Sequence, residues 1–121
     1  MANGDALTVV RAKGVTQQSA GYKLLDGVSA NGDGPWVDTR TMSPGSIEIF
    51  GTGTGNSFTG TVSIRGSNQD TQPVSVYEGS QIASYTAPAI FAVPFPVRWI
   101  KADLSGYSGS NTVSAIFHSY T

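Results

Sequence analysis

FTGTVSIRGSN, residues 58–68, and FPVRWIKADLSGYSGSNTVSAIF, residues 95–117, alternate small polar and apolar side chains between glycine-containing turns. A period of two puts every second side chain on one face of an extended chain, so both stretches read as β-strands with one buried face. Working outward, Ile47 and Ile49 alternate with Glu48 in residues 46–50, and the polar run 51–56 leads into Val62 and Ile64. That pattern predicts a hairpin of 46–50 with 58–65 across GTGTGN. Residues 97–104 and 112–120 predict a last hairpin across SGYSGSN, whose glycines and Asn111 suit a tight or bulged turn. Val74 and Val76 share one face of a further strand over 73–77. Three prolines among the apolar residues 81–96 exclude a helix there and predict an edge strand or an irregular crossover. Seven or eight short strands in one small unit predict an all-β, single-domain antiparallel β-sandwich.

Upstream, residues 1–34 hold two short apolar clusters, Leu7 to Val10 and Tyr22 to Leu25, in a stretch rich in Gly, Gln, Asn and Ala. They read as an extended N-terminal arm with one or two short strands, either a partly ordered tail or an arm that orders on a neighbour. The turn signal Asn31-Gly32-Asp33-Gly34-Pro35 ends it, and residues 35–121 are expected to form the sandwich domain.

With 121 residues the chain is long enough for one core. Only 12% of residues are charged, about half the usual share, which leaves a surface of hydroxyls and backbone. A net charge of −1 with scattered Lys and Arg offers no field for phosphates, so neither nucleic acid nor a membrane surface is an expected partner. No cysteine is present, which removes disulfides, thiolate metal sites and thiol nucleophiles. The first residues lack the apolar core of a secretory signal, and synthesis in a reducing compartment is the expectation.

Candidate chemistry is sparse. His118 is the single histidine, no G-x-S-x-G pattern surrounds a serine, and zinc would need three or four ligands where the chain offers one imidazole. The spacing of the eight Asp and Glu residues suggests no facing pair of the glycosidase kind. Asn31, Asp33 and Asp38, or Asn68 and Asp70, are better explained as turn residues than as a calcium loop. GTGTGN lacks the Lys-Ser/Thr ending and the following helix of a phosphate loop. No catalytic residue, cofactor or metal ligand is therefore expected, and the chain reads as a non-enzyme. Of the aromatics, Trp36 or Trp99 is assigned to the core, whereas Tyr107, in the SGYSGSN turn, is the best single contact residue.

Three stretches carry a family resemblance: GPWVDTRTMSPGSIEIFG (34–51), FTGTVSIRGSNQD (58–70) and PFPVRWIKADLSGYSGSNTVSAIF (94–117). Their order of strands and glycine turns resembles the small virion proteins of tailed bacteriophages, including capsid decoration or cement proteins with jelly-roll-like sandwiches. The chain departs from that pattern at Thr71-Gln72-Pro73, where many such proteins continue into a turn and a tryptophan. The resemblance implies a structural virion protein on the capsid exterior, bound to the major capsid protein as a homo-oligomer, with a trimer at local threefold axes as the form it allows. Leu7, Val9, Val10, Tyr22, Ile90, Phe91 and Tyr107 are the expected partner-binding residues. The alternative is a tail- or fibre-associated carbohydrate-binding module for host recognition, using exposed Trp or Tyr.

Overall fold

The computed structural model describes residues 19–39, 45–74, 78–93 and 97–120. The described residues form nine strands: β1 (Ser19–Val28), β2 (Gly32–Asp33), β3 (Val37–Asp38), β4 (Gly45–Gly51), β5 (Thr61–Ser67), β6 (Ser80–Tyr85), β7 (Ala89–Ala92), β8 (Trp99–Ser105) and β9 (Val113–Tyr120). They form two antiparallel sheets. Sheet A runs β1-β9-β4-β7, and sheet B runs β2-β8-β5-β6, with β3 also paired to β8. The pairings nest: β1 with β9, β2 and β3 with β8, β4 with β7, β5 with β6. One long hairpin rolled on itself gives this order, and it is a jelly roll.

The core is made by alternation on the four central strands. Ile47 and Ile49 on β4, Val62 and Ile64 on β5, Ile100, Ala102 and Leu104 on β8, and Val113, Ala115 and Phe117 on β9 all point between the sheets. Both expected hairpins are corrected by this topology. β4 and β5 lie in different sheets, as do β8 and β9. Alternation fixes which face of a strand is buried, not which strand lies beside it. Two apolar faces joined by the long loops 52–60 and 106–112 are buried equally well by facing each other across the roughly 10 Å between sheets. GTGTGN accordingly bridges the two sheets, through a 3-10 turn over Thr54–Asn56.

The expected boundary at residue 34 also moves. β1 is a full member of sheet A, and Leu24 and Leu25 are both fully buried. Two consecutive residues can face one core only if the strand bulges, and the β1–β9 register shifts at this point. Of the strand expected over 73–77, residues 75–77 lie outside the described set and Pro73 and Val74 are not in a strand; β6 begins at Ser80. The proline-rich stretch holds two edge strands, β6 and β7, one in each sheet. Stacked rings of Tyr85 and Phe91, 4.8 Å apart, close the sandwich between them.

At Gly34 the backbone itself bridges the layers. Its N–H donates to Ala102 O at 2.8 Å, and a Cβ there would lie 2.3 Å from Leu24 O. Replacing Gly34 with Ala should therefore force β1 and β8 apart. We expect Gly34→Ala to lose about 2 kcal/mol and to lower the melting temperature by roughly 10 °C, read by thermal circular dichroism; an unchanged melt would refute the close approach.

Candidate functional site

The densest chemistry lies on the outer face of sheet B. Because Ile100, Ala102 and Leu104 face the core, Trp99, Lys101 and Asp103 face outward, and on β5 so do Ser63, Arg65 and Ser67. The register sets Arg65 directly across from Lys101, and Asp103 across from both Ser63 and Asp33. Two cations opposite one another repel. Here the carboxylates of the next row compensate: Lys101 Nζ lies 3.0 Å from Asp33 Oδ2 and 3.6 Å from Asp103 Oδ1, while Arg65 Nε lies 3.0 Å from Asp103 Oδ2. The quartet is neutral.

Although Lys101 stands on an outward face, its side chain is only 3% exposed. The Trp36 ring covers it, 5.0 Å from Nζ to the ring centroid, a cation-π contact in a desolvated place. Trp36 is held in turn by Gly79, whose φ of +72° favours glycine and where any Cβ would meet Trp36 Cη2 at 2.6 Å. Further along the face, Arg98 pairs with Asp38 at 3.5 Å and stands 5.2 Å from the centre of the Trp99 ring. Trp99 donates its indole N–H to Gln69 O at 3.0 Å, Arg98 N–H donates to Asn68 Oδ1 at 3.0 Å, and the Thr39 hydroxyl bonds Val97 O. The loops on either side of β8 thus fold over this face. Trp99 is the buried core tryptophan of the two, packed beneath these loops at the margin of the main core cluster, and Trp36 is half-buried.

Burial pushes the Asp103 carboxyl up from 3.8 to about 6, against the pull of Lys101; the negative charge and hydrogen bond of Asp33 raise it further, and Arg65 lowers it. A glycosidase pair needs carboxyls separated by about 5 to 9.5 Å across a cleft. Asp33 and Asp103 instead are direct partners in the β2–β8 ladder, and both lie against the Lys101 ammonium. Among the described residues no group of three or more His, Cys, Asp or Glu side chains could hold a metal ion.

The expected contact residues are not brought together. Tyr22, half-buried against the core, is on edge strand β1, whereas Ile90 and Phe91 are on the opposite edge, β7. Ile90 is 71% exposed; Phe91 turns inward onto Tyr85. Tyr107 packs against the core, and its N–H donates to Asn31 Oδ1 at 2.7 Å, where loops 29–31, 52–60 and 106–112 converge. Leu7, Val9 and Val10 lie outside the described residues. His118 stands across from Ser46 and Gly21, half-buried.

The Lys101 cluster escaped the sequence reading, although the spacing of Trp99, Lys101 and Asp103 places them on one strand face. Its partners Asp33, Trp36 and Arg65 come from other strands and loops. No family model, no curated protein and no solved structure matches this chain.

Two outcomes follow for the cluster. Lys101→Ala removes the ammonium from Asp33 and leaves Asp103 with Arg65, and should cost about 3 kcal/mol, read by urea unfolding. The Asp103 carboxyl is protonated in the folded chain between pH 3.8 and about 6, where the unfolded chain has released that proton. Its contribution to stability is therefore present at low pH and lost as pH rises through about 6. The difference in melting temperature between wild type and Asp103→Asn should shift across that window; a constant difference would show that Asp103 titrates alike in both states.

Proposed function

We propose that this chain is a non-catalytic structural protein of a tailed-phage virion, a decoration or cement protein seated on the outer surface of the major capsid protein lattice. What supports the reading is the contrast between the two outer faces. Sheet B pairs its charges with one another, through Lys101, Asp33, Asp103 and Arg65, and buries Lys101 among them. In sheet A, β7 pairs only with β4 among the described residues, and on it Ile90 is 71% exposed and Ala92 also faces solvent. A protein that binds only the assembled lattice stabilises it by mass action, and many copies allow each contact to be modest. The jelly roll and the resemblance of residues 34–117 agree with that role.

Glycan binding is the second reading. Loops 29–31, 52–60 and 106–112 meet at one end of the sandwich and contain no charged residue, only small, hydroxyl, amide and aromatic side chains that suit sugar hydroxyls. Against it, Tyr107 spends its ring on the core.

Co-sedimentation with phage heads lacking this protein, expanded and unexpanded, decides between the two. Saturable binding at a fixed ratio to capsid subunits, indifferent to a competing glycan mixture, is the expected result. Absence of binding to either head form would overturn the decoration reading, and competition by glycans would favour the second.

A further inference from the structure

Lys101, Asp33 and Asp103 form a triangle whose chemistry goes beyond that of an ion pair. Lys101 Nζ lies 3.0 Å from Asp33 Oδ2 and 3.6 Å from Asp103 Oδ1. The two carboxyls are direct partners in the β2–β8 ladder, so both reach the nitrogen from the neighbouring row. The Lys101 side chain is 3% exposed and lies beneath the Trp36 ring, whereas that of Asp33 is 50% exposed. Arg65 Nε holds Asp103 Oδ2 at 3.0 Å; the other oxygen, Oδ1, is buried and accepts no hydrogen bond among the described residues. A desolvated amino group, a carboxyl against it and a second carboxyl with an oxygen to spare are the parts of an acyl transfer.

We infer that Lys101 and Asp33 condense into an isopeptide bond that joins β8 to β2, with Asp103 as the proton carrier. One proton of the Lys101 ammonium passes to Asp103, and the nitrogen lone pair attacks Asp33 Cγ. The Nζ–Cγ bond forms and the bond from Cγ to one Asp33 oxygen breaks. That oxygen leaves as water, taking the proton held by Asp103 and a second one from Nζ. The nitrogen keeps one proton as the amide N–H, no electron is gained or lost, and Asp103 ends as it began. The reaction happens once per chain, so the chain is its own substrate and turns nothing over.

An ammonium and a carboxylate in bulk water stay ionic. Here the buried ammonium carries a desolvation cost that a neutral amide removes, and two paired strands hold the reacting groups together far more effectively than free solutes meet. Asp103, pushed up to about 6 chiefly by burial, can take and return a proton near neutral pH. The half-exposed side of Asp33 gives the water a way out. Lys23 Nζ is as close to Asp26, at 3.1 Å, but its side chain is 23% exposed, and that pair stays ionic. The nitrogen of Gly34 is a rival for Asp33 Cγ, since Asp-Gly sequences lose water to give a succinimide. Gly34 N–H, however, donates to Ala102 O at 2.8 Å, which ties it to β8. The isopeptide links residues 68 apart in a chain that has no cysteine, restricting the unfolded state as a disulfide does but without dependence on redox conditions.

The test is made on the isolated full-length chain, so it stands apart from any binding to heads or glycans. The protein is kept at neutral pH, denatured, weighed by intact mass spectrometry and digested with trypsin. The wild type should be one water lighter than its sequence. It should give a branched peptide of residues 24–40 joined to residues 99–121, uncut at Lys101 but cut at Lys23. Asp33→Asn should join as well, losing ammonia in place of water and reaching the same product. Lys101→Arg should keep its full mass, and Asp103→Asn should join about a hundredfold more slowly. A wild type at full sequence mass would overturn the inference. So would a chain one water short whose peptides 24–40 and 102–121 are recovered apart, the mark of a succinimide. Undiminished joining in Asp103→Asn would remove Asp103 from the reaction. The decisive reading is that of the wild type, so it does not depend on any variant folding.

Discussion

The pairing of the first described strand with the last closes the molecule. β1 is held to β9 from Ser19↔Tyr120 to Val28↔Val113, so nearly the whole described chain lies between the partners of one ladder. Everything else nests inside that ladder: β2 and β3 on β8, then β4 on β7, then β5 on β6. Without β1, the sheet A face of the core would lose Leu24 and Leu25, and β9 would become an open edge. Such a fold is dominated by contacts distant in sequence, whose loop closure must be met before burial rewards it. With no disulfide to shorten those loops, stability depends on the packing of the aliphatic side chains on the central strands.

How far the sequence reveals this fold depends on whether a feature is local. Period-two alternation identified the faces of β4, β5, β8 and β9, and with them most of the core, because it is a property of one strand. Strand neighbours are not local, and both expected hairpins failed for that reason: a long polar loop between two half-buried strands fits a turn within a sheet and a crossing between sheets equally. β1 was partly concealed by its bulge, since Lys23-Leu24-Leu25-Asp26 shows no alternation although both leucines are core. The charged cluster was the least legible. Lys101 on an alternating strand reads as a solvated side chain, and its burial depends on Trp36 and on the approach of Gly79, which no spacing encodes.

The cluster also bears on how a weakly charged chain uses its few ions. Arg65, Lys101, Asp33 and Asp103 are committed to one another, and Arg98 and Asp38 form a further pair on the same face. Burying ion pairs carries a desolvation cost that the pairing only roughly offsets, so they are weak contributors to stability. What they supply is register. A one-residue slip of β8 would drive Lys101 and Asp103 into the core and expose Ile100, Ala102 and Leu104. The quartet thus penalises the alternative pairing more than it stabilises the native one.

That use of charge has a consequence for the rest of the surface. Charges spent on the register of sheet B are not available to guard the edges of sheet A, where a lysine or glutamate pointing along β7 would ordinarily discourage pairing. Glu48 is the one described charge beside that edge, and it lies on β4, across from Ile90 rather than on β7 itself. An isolated globular protein with such an edge would risk uncontrolled strand addition. On β7 the guarding falls to the flanking Pro88 and Pro94, which confine any added strand to about the length of β7 itself. The lightly guarded edge and the neutralised face are then two sides of one economy of charge, because the ions that fix the register of sheet B are the ones that β7 lacks.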